Sequence, residues 1–282
     1  MMLESIYELL NFVLPFQWLD HNFMKNAFLA VLLVTPLFGI LGTMVVSNRM
    51  AFFSDSLGHG AFAGIAIGVL LGGVEPLAAL VLFSVIFAIF ITYIKSKSTA
   101  STDTIIGVFS STAIALGLMM MSYGGSFNKF SGYLIGDLLS ITEADLVILL
   151  ITCIVVIIFW LLIFNRLLLL SINASFASSR GVSTRLIEMA FAAVLAVVVA
   201  ISIQWVGILI INSLLVLPAA AARNIANNVK QYHCLSVMFA IFSGLAGLII
   251  SYYSNTATGA TIVLIAAGIF FVTLLLKPHM EH

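Results

Sequence analysis

The sequence predicts an all-α, polytopic integral membrane protein with about nine transmembrane helices, within a range of eight to ten. Three observations carry that expectation. Of the 282 residues, 62% are hydrophobic and only 8% charged, with a mean hydropathy of +1.23. A soluble domain carries about 25% charged residues, so a water-solvated surface is excluded. Apolar runs also recur at the length of roughly 17–25 residues that a helix needs to cross a bilayer. The connections between them are too short to hold a second, soluble domain. Finally, the basic residues collect on alternate connections, as the positive-inside rule requires of a multi-pass chain. The formal net charge is zero and there is no basic tract, so nothing points to nucleic acid.

The elements follow in order. Residues 1–25 form an N-terminal segment in which "ESIYELLNFVLPF" reads as a short amphipathic helix lying at the membrane surface. Residues 1–18 carry Glu4 and Glu8, lack a basic start and show no small-residue cleavage site, so they do not read as a secretory signal. The membrane domain occupies 26–277. Its spans lie near 26–46, 57–73, 76–94, 104–123, 146–163, 186–203, 205–222, 234–253 and 258–276. Two joins are tight, "GGVEP" after Gly72 and "IQW" around Gln204. Residues 164–185 form the longest cytoplasmic connection, with Gly181 as a break between two short helical pieces. Residues 278–282 are a tail. Cys153 and Cys234 are far apart, within or beside apolar runs and outside any CxxC pair, so no disulfide is expected.

Placing the C-terminus in the cytoplasm and alternating backwards fixes the orientation. The inner connections then hold Arg49, Lys95, Lys97, Arg166, Arg180, Arg185, Arg223, Lys230 and Lys277, against Lys25 and Lys129 outside. Glu4, Glu8, Asp20, Glu75, Asp137, Glu143 and Asp145 fall outside, as a solvated acidic rim.

Charges inside a membrane cost about 2.5–3.5 kcal/mol each on insertion scales, so they usually mark a function. In "SDSLGHGAFAGIAIG", Asp55 and His59 head an apolar span with no basic residue inside it. Their i, i+4 spacing puts both on one helical face. A carboxylate and an imidazole suit zinc, manganese or iron(II). Two ligands do not complete a structural site, whereas a two-fold homodimer supplies the pair twice. The plainer alternative is a local polar pair that holds the helix end. Beside this face Gly60, Gly64, Gly68 and Gly72 recur every fourth residue, with Ser56 extending the stripe. Such a ladder lets a neighbouring helix approach closely in lipid and reads as packing.

Other features carry less. Met119, Met120 and Met121 point in different directions on a helix and read as packing or lipid contact, not a copper site. His279 and His282 belong to the frayed tail. Pro218 should kink its helix, and Asn212 in the same helix can hydrogen-bond to a neighbour. No lysine stands in a GxxxxGK[ST] pattern, so any ATP-driven function needs the ATPase on another polypeptide. No inverted repeat of the kind common in secondary transporters is evident.

Four ordered blocks, "NRMAFFSDSLGHGAFAGIAIG", "TDTIIGVFSSTAIALGL", "GYLIGDLLSITEADL" and "VGILIINSLLVLPAAAARNIA", resemble the membrane permease of bacterial ABC-type zinc, manganese and iron importers. The resemblance runs from about Arg49 to Lys277 and is nearest the zinc-uptake branch. It implies a multi-pass permease of the bacterial inner membrane, a transport subunit and not itself an enzyme. It further implies a second permease copy, a cytoplasmic ABC ATPase and an extracytoplasmic metal-binding protein. The cargo would be a divalent metal, zinc first, with manganese or iron as alternatives. Asp55 and His59 match the D-x-x-x-H block linked to the ion path. Phe176, Ala177, Arg180 and Gly181 fall in the segment that docks on the ATPase. Where relatives often carry Asp-Pro-Glu before the Phe-Ala, this chain has Asn173, Ala174 and Ser175. An ion-coupled secondary metal carrier is the alternative from a different class.

Overall fold

Hydrocarbon offers a backbone no hydrogen bonds, so a spanning chain must satisfy its own amides within helices or a closed barrel. This chain takes the helical solution. A computed structural model describes residues 2–13, 16–71, 75–123 and 136–277, and among these it contains helices and turns but no strand. The helices are α1 (Met2–Val13), α2 (Asn22–Ser47), α3 (Ala51–Leu71), α4 (Pro76–Lys97), α5 (Thr102–Tyr123), α6 (Glu143–Ile172), α7 (Ala174–Ser179), α8 (Thr184–Val206), α9 (Ile208–Ile225), α10 (Val229–Ser254) and α11 (Thr258–Leu276). Short 3-10 turns occupy Gln17–Leu19 and Leu138–Ser140. Among the described residues seven helices are long and apolar enough to cross a membrane: α2, α4, α5, α6, α8, α10 and α11. The predicted spans 57–73 and 205–222 fall largely on α3 and α9, and the join expected around Gln204 lies inside α8, with the break at Gly207 instead.

Local chemistry explains where the helices start and stop. Pro76 opens α4, where its missing N–H costs nothing, and Lys95 and Lys97 sit in the last turn against the negative end of the helix dipole. Thr142 and Asp145 cap α6 reciprocally. The Thr142 amide donates to Asp145 Oδ2 at 2.9 Å, and the Asp145 amide donates to Thr142 Oγ1 at 3.3 Å. Asn228 accepts from the Gln231 amide at the head of α10, and Asn255 closes that helix in the left-handed region, φ 51°. Gly207, φ 88°, breaks the chain between α8 and α9, a conformation that disfavours any side chain.

Several boundaries differ from expectation. Helix α6 continues nine residues past the predicted end at 163, because Ile163, Leu167 and Leu170 stay buried. Arg166 therefore sits on a helix and not in a loop. Within 164–185 most residues are helical, with Gly181 (φ 76°) in the turn between α7 and α8. Helix α9 runs on through Pro218, and α2 contains a second internal proline, Pro36. The "GGVEP" join, Lys129 and the tail with His279 and His282 lie wholly or partly outside the described residues.

The chain divides into two compact units, with boundaries inside α2, α6 and α9. One comprises Met1–Thr43, Gly136–Val155 and Ser213–His282. Its helices meet at small residues. A Cβ on Gly42 would fall 2.1 Å from the Leu215 carbonyl oxygen, and one on Gly39 would fall 2.8 Å from Val237 Cα. Ser236 then donates to the Gly39 carbonyl at 2.7 Å, and Thr43 Oγ1 lies 2.9 Å from His233 Nε2. Helix α1 is tied to this unit by Tyr7, whose hydroxyl donates to Asn26 Oδ1 while Asn26 Nδ2 donates to the Ile141 carbonyl at 2.9 Å. Burial, with the nearby Glu143 carboxylate adding to it, pushes the Tyr7 phenol above its usual range, so it remains a donor. Lys25, itself buried, holds its ammonium 5.6 Å from the Tyr7 ring centre.

The other unit comprises Met44–Ile135 and Val156–Asn212. Here α3 packs against α4 and α5, and α8 packs against α4 and α3. Lys95 of α4 and Glu188 of α8 form an ion pair at 3.5 Å.

Candidate functional site

From Phe53 to Ala66, every residue of α3 is buried except two, and those two are Asp55 and His59. The helix is thus covered on all sides but one. Each covering comes from a different neighbour, and the sequence dictates which.

The glycine stripe faces α4. A Cβ on Gly60 would meet the Phe87 ring at 2.7 Å, one on Gly64 would meet Phe83 Cβ at 3.0 Å and Leu80 Cα at 3.2 Å, and one on Gly68 would meet Ala79 Cβ at 2.7 Å. Gly72 lies outside the described residues. A second side faces the start of α9. Ser54, fully buried, donates its hydroxyl to Asn212 Oδ1, and Gly58 lies against the Ile208 carbonyl and the Ile211 side chain. One turn beyond His59, α5 closes over the helix, where a Cβ on Gly117 would fall 2.9 Å from Phe62 and 3.1 Å from the Ala63 amide.

Asp55 and His59 occupy the remaining face. His59 Nε2 is 3.5 Å from Asp55 Oδ2, with side-chain exposures of 30% and 46% respectively. At that distance the pair is in contact but not locked in a short hydrogen bond. The carboxylate oxygens, and the unprotonated nitrogen of a neutral imidazole, can each offer a lone pair to a cation. Among the described residues no third His, Cys, Asp or Glu stands near enough to complete a metal site.

The predicted ATPase-docking residues lie together on and beside α7. Asn173 caps this short helix by accepting from the Phe176 amide at 3.0 Å, a role an aspartate would fill equally well. Phe176 and Arg180 are exposed, with the guanidinium 5.3 Å from the ring centre. Ala177 is fully buried, and its carbonyl accepts from the amides of Arg180 and Val182. Gly181 turns the chain toward α8 with open space around its Cα. An open groove beside this turn is lined by Ser178, Val182, Ser183, Arg185 and Glu188. Met119 is exposed, as a lipid-facing residue would be, and Cys153 and Cys234 are both free.

Sequence reasoning missed the Ser54 side of the Ser54–Asn212 contact and the Lys95–Glu188 pair. An asparagine inside an apolar run was a signal for the first. The second joins residues that each read as ordinary interfacial charges.

Among the described residues, seven long apolar helices define a multi-pass membrane protein, in which the half-exposed carboxylate–imidazole pair stands out on a covered stretch of α3. Comparison with known proteins extends this. The ABC 3 transport family model matches residues 20–277. The chain is 31% identical over 251 residues to the high-affinity zinc uptake system membrane protein ZnuB of Buchnera aphidicola, covering 88% of this chain and 96% of that one. It is 27% identical to the manganese transport system membrane protein MntC of Listeria monocytogenes, with 92% of each covered. Among solved structures, PsaBC from Streptococcus pneumoniae in complex with Fab superposes with a TM-score of 0.82 at 28% identity, over 93% of this chain and 95% of that one. The chain belongs to the ABC 3 transport family. It is a transmembrane permease of the bacterial inner membrane and not an enzyme.

Proposed function

We propose that this permease moves a divalent transition-metal ion into the cytoplasm, zinc first, with ATP hydrolysed by a separate ABC ATPase. The observation that carries the reading is the Asp55–His59 pair, the two uncovered residues between Phe53 and Ala66 of α3. The ion is cargo, so an incomplete ligand set suits it: binding must be strong enough to admit the ion and weak enough to release it. A second copy of the chain, related by a two-fold axis, brings a second Asp55 and His59 and makes a four-ligand site. No chemistry is done on the ion.

The rest of the assembly follows the same reading. α3 and α9 add two crossings to the seven apolar helices, giving about nine, with the C-terminus cytoplasmic. The segment 164–185 forms the cytoplasmic coupling region, in which Phe176, Ala177, Arg180 and Gly181 dock on the ATPase. An extracytoplasmic metal-binding protein delivers the ion. Gly60, Gly64 and Gly68, with Gly72, hold α3 against its neighbour so that the ligand face keeps its direction. The 31% identity to a zinc-uptake membrane protein favours zinc. Manganese is the second reading, favoured by relatives such as the manganese import system permease protein ScaB of Streptococcus gordonii, 28% identical over 263 residues.

The experiment is uptake by proteoliposomes containing the permease, its ATPase and its binding protein, tested with one metal at a time. Asp55→Ala and His59→Ala are each expected to abolish uptake while the complex still assembles. Normal uptake by either variant would sink the reading. Uptake that persists without ATP would favour an ion-coupled carrier.

A further inference from the structure

Helices α4, α5, α8 and α9 all touch α3, and α4 and α9 do so in different ways. The contact with α4 is a ladder of glycines against ring and aliphatic carbon. Only positions without a Cβ let α4 come this close, so the ladder sets which side of α3 faces α4, by packing alone and with no polar bond. The contact with α9 is of another kind. A Cβ on Gly58 would meet the Ile208 carbonyl oxygen at 3.4 Å, an ordinary van der Waals distance, so this position adds no direction. Ser54, one residue before Asp55, makes a hydrogen bond to Asn212. Its oxygen also lies 2.8 Å from the Ala51 carbonyl in its own helix, the alternative acceptor for the single hydroxyl proton.

Helical geometry turns this into a statement about the ligands. Successive residues on a helix are rotated by about 100°. Ser54 and Gly58 therefore define the α9 side, and Asp55 and His59, each one residue further, define the adjoining side. A rotation of α3 that breaks the Ser54–Asn212 bond swings both ligands by the same angle. Asn212 itself follows closely on Gly207, the break that starts α9 as an element independent of α8.

We propose that Asn212 is a positioning residue for the Asp55–His59 pair: through Ser54 it fixes the rotation of α3 and so the direction in which both metal ligands face. The ligand class is a divalent cation, and the role rests on reading the pair as transient metal ligands. Asn212 does not touch the ion. It holds the residue next to one of the groups that do.

The test uses the full-length chain in lipid nanodiscs, titrated with Zn2+ and separately with Mn2+, with bound metal measured by equilibrium dialysis. Asn212→Leu keeps the volume and removes the polar group, and Ser54→Ala is the smaller change on the other side. Each is expected to weaken binding by about three- to tenfold, the range a single side-chain hydrogen bond supports. The double variant should lose no more than the worse single, because both remove the same bond. Helix content and melting temperature should stay near those of the parent, since the ladder on α4 is untouched. Unchanged metal binding in Ser54→Ala, or losses that add in the double variant, would overturn the proposal. Asp55→Asn, run alongside, separates it from the reading beneath. If that variant binds as the parent does, the ligand assignment fails. If it loses binding and Ser54→Ala does not, only the positioning role falls.

Discussion

A methyl group added to Gly42 would lie 2.1 Å from a backbone carbonyl oxygen, while one added to Gly107 would meet nothing within 4 Å. Both glycines sit within helices, so the difference isolates close packing from helix propensity. Gly42→Ala must push α9 away from α2, and overpacking of this kind costs about 1–3 kcal/mol. Gly107→Ala removes a flexible residue from the exposed side of α5 and should leave stability unchanged or raise it by about 0.5–1 kcal/mol. Thermal unfolding in nanodiscs checks both: Gly42→Ala lowers the melting temperature, and Gly107→Ala does not. At this scale Asp55 and His59 were legible in the sequence because ionisable groups stand out in an apolar run. Gly39, Gly42, Gly244 and Gly247 were not. Each touches a different stretch of a neighbouring helix (Val237, Leu215, Thr35 and Ile262 respectively). Only the ladder of α3 faces a single partner over three successive steps, which is why it alone shows as a period in the sequence.

At the scale of elements, the apolar helices could be read directly, since a bilayer demands long uninterrupted runs and few residues can interrupt them. The polar ends were harder. α6 outruns its predicted end because burial of Leu167 and Leu170 outweighs the charge of Arg166. α7 depends on its cap. With six residues it is too short to be stable by propagation, and loss of an N-cap costs about 0.5–2 kcal/mol. Asn173→Ala should therefore loosen α7 and weaken retention of the cognate ATPase during affinity purification, whereas Asn173→Asp should keep it. Equal retention by the two variants would show that α7 does not carry the docking contact. The Tyr7–Asn26–Ile141 network lay beyond any local pattern, because it joins residues 19 and 115 apart in sequence.

For the whole molecule the orientation remains the testable quantity. The positive-inside expectation puts Lys277 in the cytoplasm and Asp137 outside. In a background where Cys153 and Cys234 are replaced, Asp137→Cys should react with a membrane-impermeant maleimide on intact cells, and Lys277→Cys should react only after lysis. The opposite pattern would invert the topology. Large apolar side chains such as Ile151, Ile158, Leu161 and Leu162 of α6 or Leu264 and Leu275 of α11 stand exposed. That would mark an aggregation hazard in water, and it is the expected outer surface of a chain surrounded by lipid.

The covering of α3 also bears on how this chain can change over evolutionary time. Between Phe53 and Ala66 the covering of α3 by α4, α5, α8 and α9 leaves mutation a single open strip, and Asp55 and His59, the proposed ligands, already occupy it. Few substitutions there can be tried one at a time without breaking packing or losing the cargo. A lineage that shifts its preferred metal therefore has its easier route elsewhere, in residues that adjust how the strip is presented or in the protein that delivers the ion. The helix would be inherited almost intact while its use changes around it.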